Sequence, residues 1–149
     1  FTGKGLKGWL QKTFFSGSGQ VPIDRSGADA AAGALLSAKR VLGEGGLFGI
    51  YPEGTRSLNG EMAPLKKGPA MIASELNIPI VPAYMHGTFA SLPKFGKFPK
   101  PRRINVYFGE PIHPQRLAKR DETSRLIYTE LTNELAKRIR ALYDQHHGR

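Results

Sequence analysis

The residues best suited to chemistry lie in one short stretch, Tyr51-Pro52-Glu53-Gly54-Thr55-Arg56-Ser57. Arg56 offers a planar fork of donors that matches phosphate. Glu53, when ionised, only accepts, which suits a hydroxyl. Tyr51 to Gly54 fits a type I turn with Pro second and Gly fourth. Such a turn gathers Glu53, Thr55 and Arg56 near one point. The apolar run Leu47 to Tyr51 precedes it and reads as a buried strand, and loops at strand C-termini in α/β folds carry binding sites. An ordinary strand-to-loop turn with a surface ion pair has the same signature.

A second anion-binding candidate is Lys66-Lys67, placed before Gly68 and Pro69, where a helix is expected to start. Free N–H groups and the helix dipole favour phosphate there, although two solvated lysines fit equally. Asp24 reads as a structural partner of Arg25 or Arg56. Gly3-Lys4-Gly5-Leu6-Lys7-Gly8 matches GxGxxG in form, but no strand precedes it, so a dinucleotide site is not expected. Between Phe89 and Arg103, Phe89, Phe95 and Phe98 interleave with Lys94, Lys97, Lys100, Arg102 and Arg103. That mixture suits a solvated loop with inward Phe side chains, an anionic bilayer surface or single-stranded nucleic acid.

Composition bounds the rest. The 149 residues carry 22 Lys+Arg and 12 Asp+Glu, a net charge of +10, which points to anionic partners. There is no cysteine, which excludes a disulfide framework, a cysteine nucleophile and a zinc–thiolate site. His86, His113, His146 and His147 form no HExxH pattern, and no metal site is expected. No run approaches the ~20 apolar residues of a membrane span.

The elements that must position these residues alternate along the chain, so one α/β domain over residues 1–149 is expected, with a layered, mostly parallel or mixed sheet flanked by helices. Leu6 to Phe14 has the spacing of a basic amphipathic helix around Trp9, and Gln20 to Asp24 reads as extended. A helix capped by Ser26 or Asp29 runs to Leu42, its buried face formed by Ala31, Leu35, Ala38 and Leu42, and Gly43, Gly45 and Gly46 stop it. A second runs from Gly68 to about Asn77. Ile78 to Tyr84 and Ile104 to Phe108 read as strands. A final helix starts near Asp121 and buries Ile127, Leu131, Leu135, Ile139 and Leu142. His146 and His147 are expected to be frayed surface residues.

The heptapeptide resembles the third signature block of the glycerolipid (1-acyl-sn-glycerol-3-phosphate) acyltransferase family, complete from Tyr51 to Ser57. Gly19-Gln20-Val21-Pro22-Ile23-Asp24-Arg25 is similar to the second block, with Pro22 in place of an aromatic residue. Ile78-Pro79-Ile80-Val81-Pro82-Ala83 is similar to the fourth, and Leu65-Lys66-Lys67-Gly68-Pro69 to a Phe-Lys-Lys-Gly-Ala stretch. The blocks come in the family's order and cover the chain through about Pro111. The resemblance implies a glycerol-3-phosphate acyltransferase-like fold with its N-terminal part missing. Its His-x4-Asp pair, the catalytic base and orienting carboxylate, has no counterpart here, so no catalytic residue is expected in this chain. His86 follows the fourth block, has no Asp four or five residues on, and cannot fill that role. The chain is expected to begin just after the absent motif.

By the same resemblance, Arg25, Glu53, Gly54, Thr55, Arg56 and Lys67 bind the acceptor and its phosphate. Ile78, Pro79, Val81 and Pro82 shape the acyl pocket. The implied partners are acyl-CoA or acyl-carrier-protein, lysophosphatidic acid and a membrane surface, with no nucleic acid and no cofactor. The implied location is the cytoplasmic face of the cell membrane. Two alternatives are another lysophospholipid or alcohol as acceptor, and a non-catalytic basic module that binds anionic membrane or nucleic acid.

Overall fold

The structure, a computed structural model, describes residues 30–96, 98–117 and 124–146. The expected Leu6–Phe14 helix, the Gln20–Asp24 segment, the Ser26 and Asp29 caps, the glycine-rich stretch at residues 3–8, Asp24, Arg25, Lys97, the Asp121 helix start and His147 lie outside them. The chain divides into two compact units, residues 1–48 and 49–149.

In the first unit, helix α1 spans Ala30–Gly43. Ala38 is buried, with Leu35 and Leu42 half-buried on the same face, as the spacing predicts. Its end is set by Gly45 in the left-handed region at φ 76°. Gly45 N–H then reaches Leu42 O at 3.1 Å and Gly46 N–H reaches Val41 O at 2.9 Å. This paired closure satisfies carbonyls that the helix leaves open.

The second unit holds α2 (Gly68–Leu76), β1 (Ala83–His86), α3 (Thr88–Ser91), β2 (Asn105–Phe108), α4 (Pro114–Leu117) and α5 (Ser124–His146). Helix α2 closes as α1 does, with Asn77 as the left-handed residue at φ 52°. Asn77 N–H donates to Ser74 O at 3.2 Å and Ile78 N–H to Ala73 O at 3.0 Å. Asn tolerates this conformation better than most residues because its short polar side chain bonds locally.

Helix α5 is about 34 Å long at 1.5 Å per residue. Its Leu131 and Leu135 meet Ala70 and Ala73 of α2 together with Ile112, and Leu65, Ile78, Ile80, Leu117, Tyr128 and Ile139 pack around them. Leu131 is 0% exposed. The small side chains on α2 let the two helices approach closely. Ile127 and Leu142 are half-buried, so the whole expected stripe faces inward.

Sheet pairing among the described residues is antiparallel. Ala83, Tyr84, Met85 and His86 face Phe108, Tyr107, Val106 and Asn105 in turn. An isolated bridge joins Ile80 to Ile112. The first of these strands therefore starts at Ala83 rather than at Ile78. Pro79 and Pro82 supply no N–H and interrupt the ladder. Tyr84, His86, Asn105 and Tyr107 occupy the half-buried face, while Ala83, Met85, Val106 and Phe108 face outward.

Two expectations are corrected. Leu47 to Tyr51 is not a buried strand: it carries no ladder, and Leu47 is 97% exposed. An apolar run becomes a strand only when a neighbouring strand takes up its hydrogen bonds, and no described residue forms a ladder with it. His146 is not a frayed surface residue. It is half-buried, its ring stacked on Tyr107 with centroids 3.7 Å apart and planes 3° apart. The helix continues far enough to bring it under the sheet.

Candidate functional site

The Tyr51–Ser57 loop is shaped by three hydrogen bonds, two between main-chain groups and one to a side chain. Gly54 N–H donates to Tyr51 O at 3.1 Å, the one-to-four bond of the expected turn. Lys66 N–H donates to Pro52 O at 2.8 Å. Ala63 N–H donates to Glu53 Oε2 at 2.8 Å. The turn and the 63–66 segment are thus tied together, and the Glu53 carboxylate is one of the ties.

Gly54 has φ 69°. A Cβ there would lie 3.0 Å from both Cε and Nζ of Lys66. Glycine therefore meets two demands at this position, a left-handed backbone and room for an ammonium group. The cation beside the turn is Lys66. Lys67 points elsewhere, its Nζ donating to Thr129 Oγ1 on α5 at 2.9 Å. Thr129 in turn donates to Arg125 O at 2.8 Å.

Arg56 reaches across to the segment after α3, its Nη2 donating to Lys94 O at 2.8 Å. Thr55 and Arg56 line a cleft of about 260 Å³ together with Ser57, Leu58, Asn59, Glu61, Met62, Ala63 and Lys94. The 57–61 rim is built from local bonds. Ser57 Oγ donates to Glu61 O at 2.9 Å and accepts from Gly60 N–H at 2.8 Å. Asn59 Nδ2 donates to Glu61 Oε2 at 2.7 Å, and Glu61 N–H donates to Asn59 Oδ1 at 3.1 Å. A second cleft, of about 300 Å³, shares the Met62–Ala63 wall and runs to Ala136, Lys137 and Arg140 on α5. The first cleft is the candidate site because the motif side chains line it.

The structure therefore brings Thr55 and Arg56 into one cleft, with Glu53 and Gly54 in the turn that leads into it and Lys66 beside the turn. It sets Lys67 on α5 instead. Of the four residues expected at the acyl pocket, Pro79 and Val81 are exposed. Ile78 packs on the core and Pro82 is fully buried. This alternation follows from the extended backbone. Sequence reasoning missed Ser57, Asn59, Glu61 and Lys94 as cleft residues. The turn-forming character of Asn59-Gly60 was a usable signal for the rim; nothing in the sequence linked Lys94 to Arg56.

None of His86, His113 and His146 lines this cleft. His86 Nδ1 lies 3.3 Å from the Tyr84 hydroxyl. Burial pushes the Tyr84 phenol above its usual range, with smaller contributions from Tyr143 and Tyr107. Tyr84 and Tyr143 meet edge to face at 5.5 Å. These groups form an aromatic cluster where the sheet meets α5. Among the described residues, no group of three or more His, Asp or Glu side chains is arranged to hold a metal ion.

Residues 3–86 match the sequence profile of the family described as Acyltransferase. The chain is 34% identical over 125 residues to a 1-acyl-sn-glycerol-3-phosphate acyltransferase of Cocos nucifera, covering 83% of this chain and 37% of that protein. It is 31% identical over 125 residues to the protein of the same name in Bacillus subtilis (strain 168), covering 83% of this chain and 59% of that one. In three dimensions it is similar to the crystal structure of the 1-acyl-sn-glycerophosphate (LPA) acyltransferase PlsC from Thermotoga maritima. The TM-score is 0.52 at 27% identity, covering 69% of this chain and 43% of that one. The chain thus spans less than two thirds of the length of each of these relatives. The motif turn, the α/β fold around it and the matched span agree, and the chain belongs to the acyltransferase family.

Proposed function

We propose that this chain forms the acceptor-binding part of a 1-acylglycerol-3-phosphate acyltransferase. The full enzyme transfers an acyl group from acyl-CoA or acyl-carrier-protein to the free glycerol hydroxyl, giving phosphatidic acid. The observation that carries this reading is the Glu53-Gly54-Thr55-Arg56 turn, which presents a guanidinium to a cleft and has a lysine beside it.

In this reading Arg56 and Lys66 bind the acceptor phosphate. Arg56 exchanges its bond to a neutral carbonyl for bonds to an anionic phosphate, where both partners are charged and its planar fork can engage two oxygens. Fixing the phosphate fixes the position of the free hydroxyl. A base removes the hydroxyl proton as the oxygen attacks the thioester carbonyl. The C–O bond forms, the tetrahedral intermediate collapses, and the C–S bond breaks to release the thiol, which takes up a proton. The described histidines stand away from the cleft, so the base is assigned to residues other than these. We place the reaction at the cytoplasmic face of the cell membrane, where long acyl chains partition. The net charge of +10 supports contact with anionic lipid. No helix among the described residues is long and apolar enough to cross a membrane.

The test is steady-state kinetics of the complete parent protein on a panel of acceptors with and without phosphate. Arg56→Ala is expected to raise KM for 1-acylglycerol-3-phosphate roughly tenfold or more, the worth of a charged hydrogen bond. It should leave KM for a neutral alcohol acceptor nearly unchanged. Equal effects on both acceptors overturn the phosphate role, and absence of turnover on every acceptor overturns the activity.

A further inference from the structure

Between α3 and β2 the chain makes an excursion whose neck is closed by a reciprocal pair of bonds. Lys100 N–H donates to Ser91 O at 2.7 Å, and Ser91 Oγ donates to Lys100 O at 3.0 Å. Within the loop Gly96 N–H donates to Pro93 O at 2.9 Å. Pro93, Pro99 and Pro101 restrict the backbone further. The loop is thus held by its neck, its inner turn and its prolines. The Phe side chains near its tip are not part of that scaffold.

Those side chains are Phe95, 83% exposed, and Phe98, 81% exposed. Two phenyl rings standing this far out contribute little to folding and keep most of their apolar surface available to a partner. Lys94, Lys100, Arg102 and Arg103 flank them along the chain, and no Asp or Glu occurs between Glu75 and Glu110. Exposed aromatic rings on a segment whose charged residues are all cationic match the boundary between lipid headgroups and acyl chains. Single-stranded nucleic acid is bound in grooves whose walls carry stacking rings; here both rings are more than four-fifths exposed rather than set in a groove wall.

We propose that the 92–103 loop docks on an anionic lipid bilayer, Phe95 and Phe98 entering the interface while Lys94, Lys100, Arg102 and Arg103 pair with lipid phosphates. Lys94 also lines the cleft, and its carbonyl holds Arg56. Docking therefore sets the cleft at the lipid surface, where an acceptor with an acyl chain resides; this last step rests on the acyltransferase reading.

The test is co-sedimentation of the chain with phosphatidylcholine vesicles, with or without phosphatidylglycerol, across a salt series. Binding is expected to require the anionic lipid and to weaken with salt. The double variant Phe95→Ser/Phe98→Ser should lose roughly tenfold or more in affinity. Arg102→Gln and Arg103→Gln should each lose about fivefold. Phe108→Ser, on the outward face of the sheet, should bind as the parent does. Because these side chains are exposed, far-UV circular dichroism and melting should not change. The chain has no cysteine, so Phe95→Cys carries a single bimane label, expected to shift to the blue on anionic vesicles. Undiminished binding of the double Phe variant, an equal loss in Phe108→Ser, or an unshifted label overturns the proposal. So does binding to a single-stranded oligonucleotide without binding to vesicles. No acyl transfer enters these readouts, so the loop assignment and the enzymatic reading fail separately.

Discussion

Arg56 and Lys94, 38 residues apart in sequence, are joined by a 2.8 Å hydrogen bond from guanidinium Nη2 to main-chain carbonyl. The same arginine lines the cleft that the motif builds. On the proposed phosphate role, Arg56 holds the loop while no phosphate is bound and turns to phosphate when one binds, which couples the site to that loop. Arg56→Ala is therefore expected to speed proteolytic cleavage within residues 92–103 of the ligand-free protein. Arg56→Lys should do so less, because an ammonium can still reach a carbonyl. Equal cleavage rates in parent and alanine variant contradict the coupling.

Glu53 has a structural duty that the motif does not announce. Its carboxylate accepts the Ala63 N–H at 2.8 Å. Glu53→Ala leaves that donor without its partner, a loss of about 1–3 kcal/mol. Glu53→Gln keeps an oxygen acceptor and should lose less than half as much. Urea denaturation of the three proteins checks the order, and an alanine variant as stable as the parent removes this role.

Gly54→Ala should destabilise the chain by about 1–2 kcal/mol from the left-handed backbone alone. Contact with the Lys66 side chain adds to this, since the new methyl group would sit 3.0 Å from Cε and Nζ. Placing Gly54→Ala in a Lys66→Ala background isolates the second contribution. The double variant is expected to recover part of the loss but not all of it. Complete recovery would mean that the backbone conformation is costless to alanine.

Tyr128 donates its hydroxyl to the Glu75 carboxylate, linking α5 to α2. That hydrogen bond pushes the phenol above its ordinary range, followed by burial and the nearby negative charge; a bond with Ser124 opposes them. A folded-state pKa raised above the unfolded value contributes stability that is complete below the unfolded pKa of about 10. It is lost as pH rises through the folded value. The parent should therefore lose stability above about pH 10 more steeply than Tyr128→Phe does. Denaturant midpoints across that range are the measurement, and parallel curves refute the linkage.

Local chemistry was legible without coordinates. The Tyr51–Gly54 turn, the end of α2 near Asn77 and the inward stripe from Ile127 to Leu142 follow from rules that act over four residues or fewer. Each depends on backbone geometry or helical period, which neighbours in sequence dictate. The family blocks were legible as a resemblance in residue type and order, and within the third the turn itself accounts only for Pro second and Gly fourth.

Tertiary structure decided what pairs with what. It set β1 antiparallel to β2 and left Leu47 to Tyr51 without a ladder. It chose Lys66 rather than Lys67 as the cation beside the turn, and stacked His146 on Tyr107. It also joined Arg56 to Lys94. None of these is encoded in a short window, because a hydrogen-bond ladder, a lysine's direction and a ring stack each depend on a partner brought near by folding. Residue types set what each group can bind, and the fold chose which partner it meets.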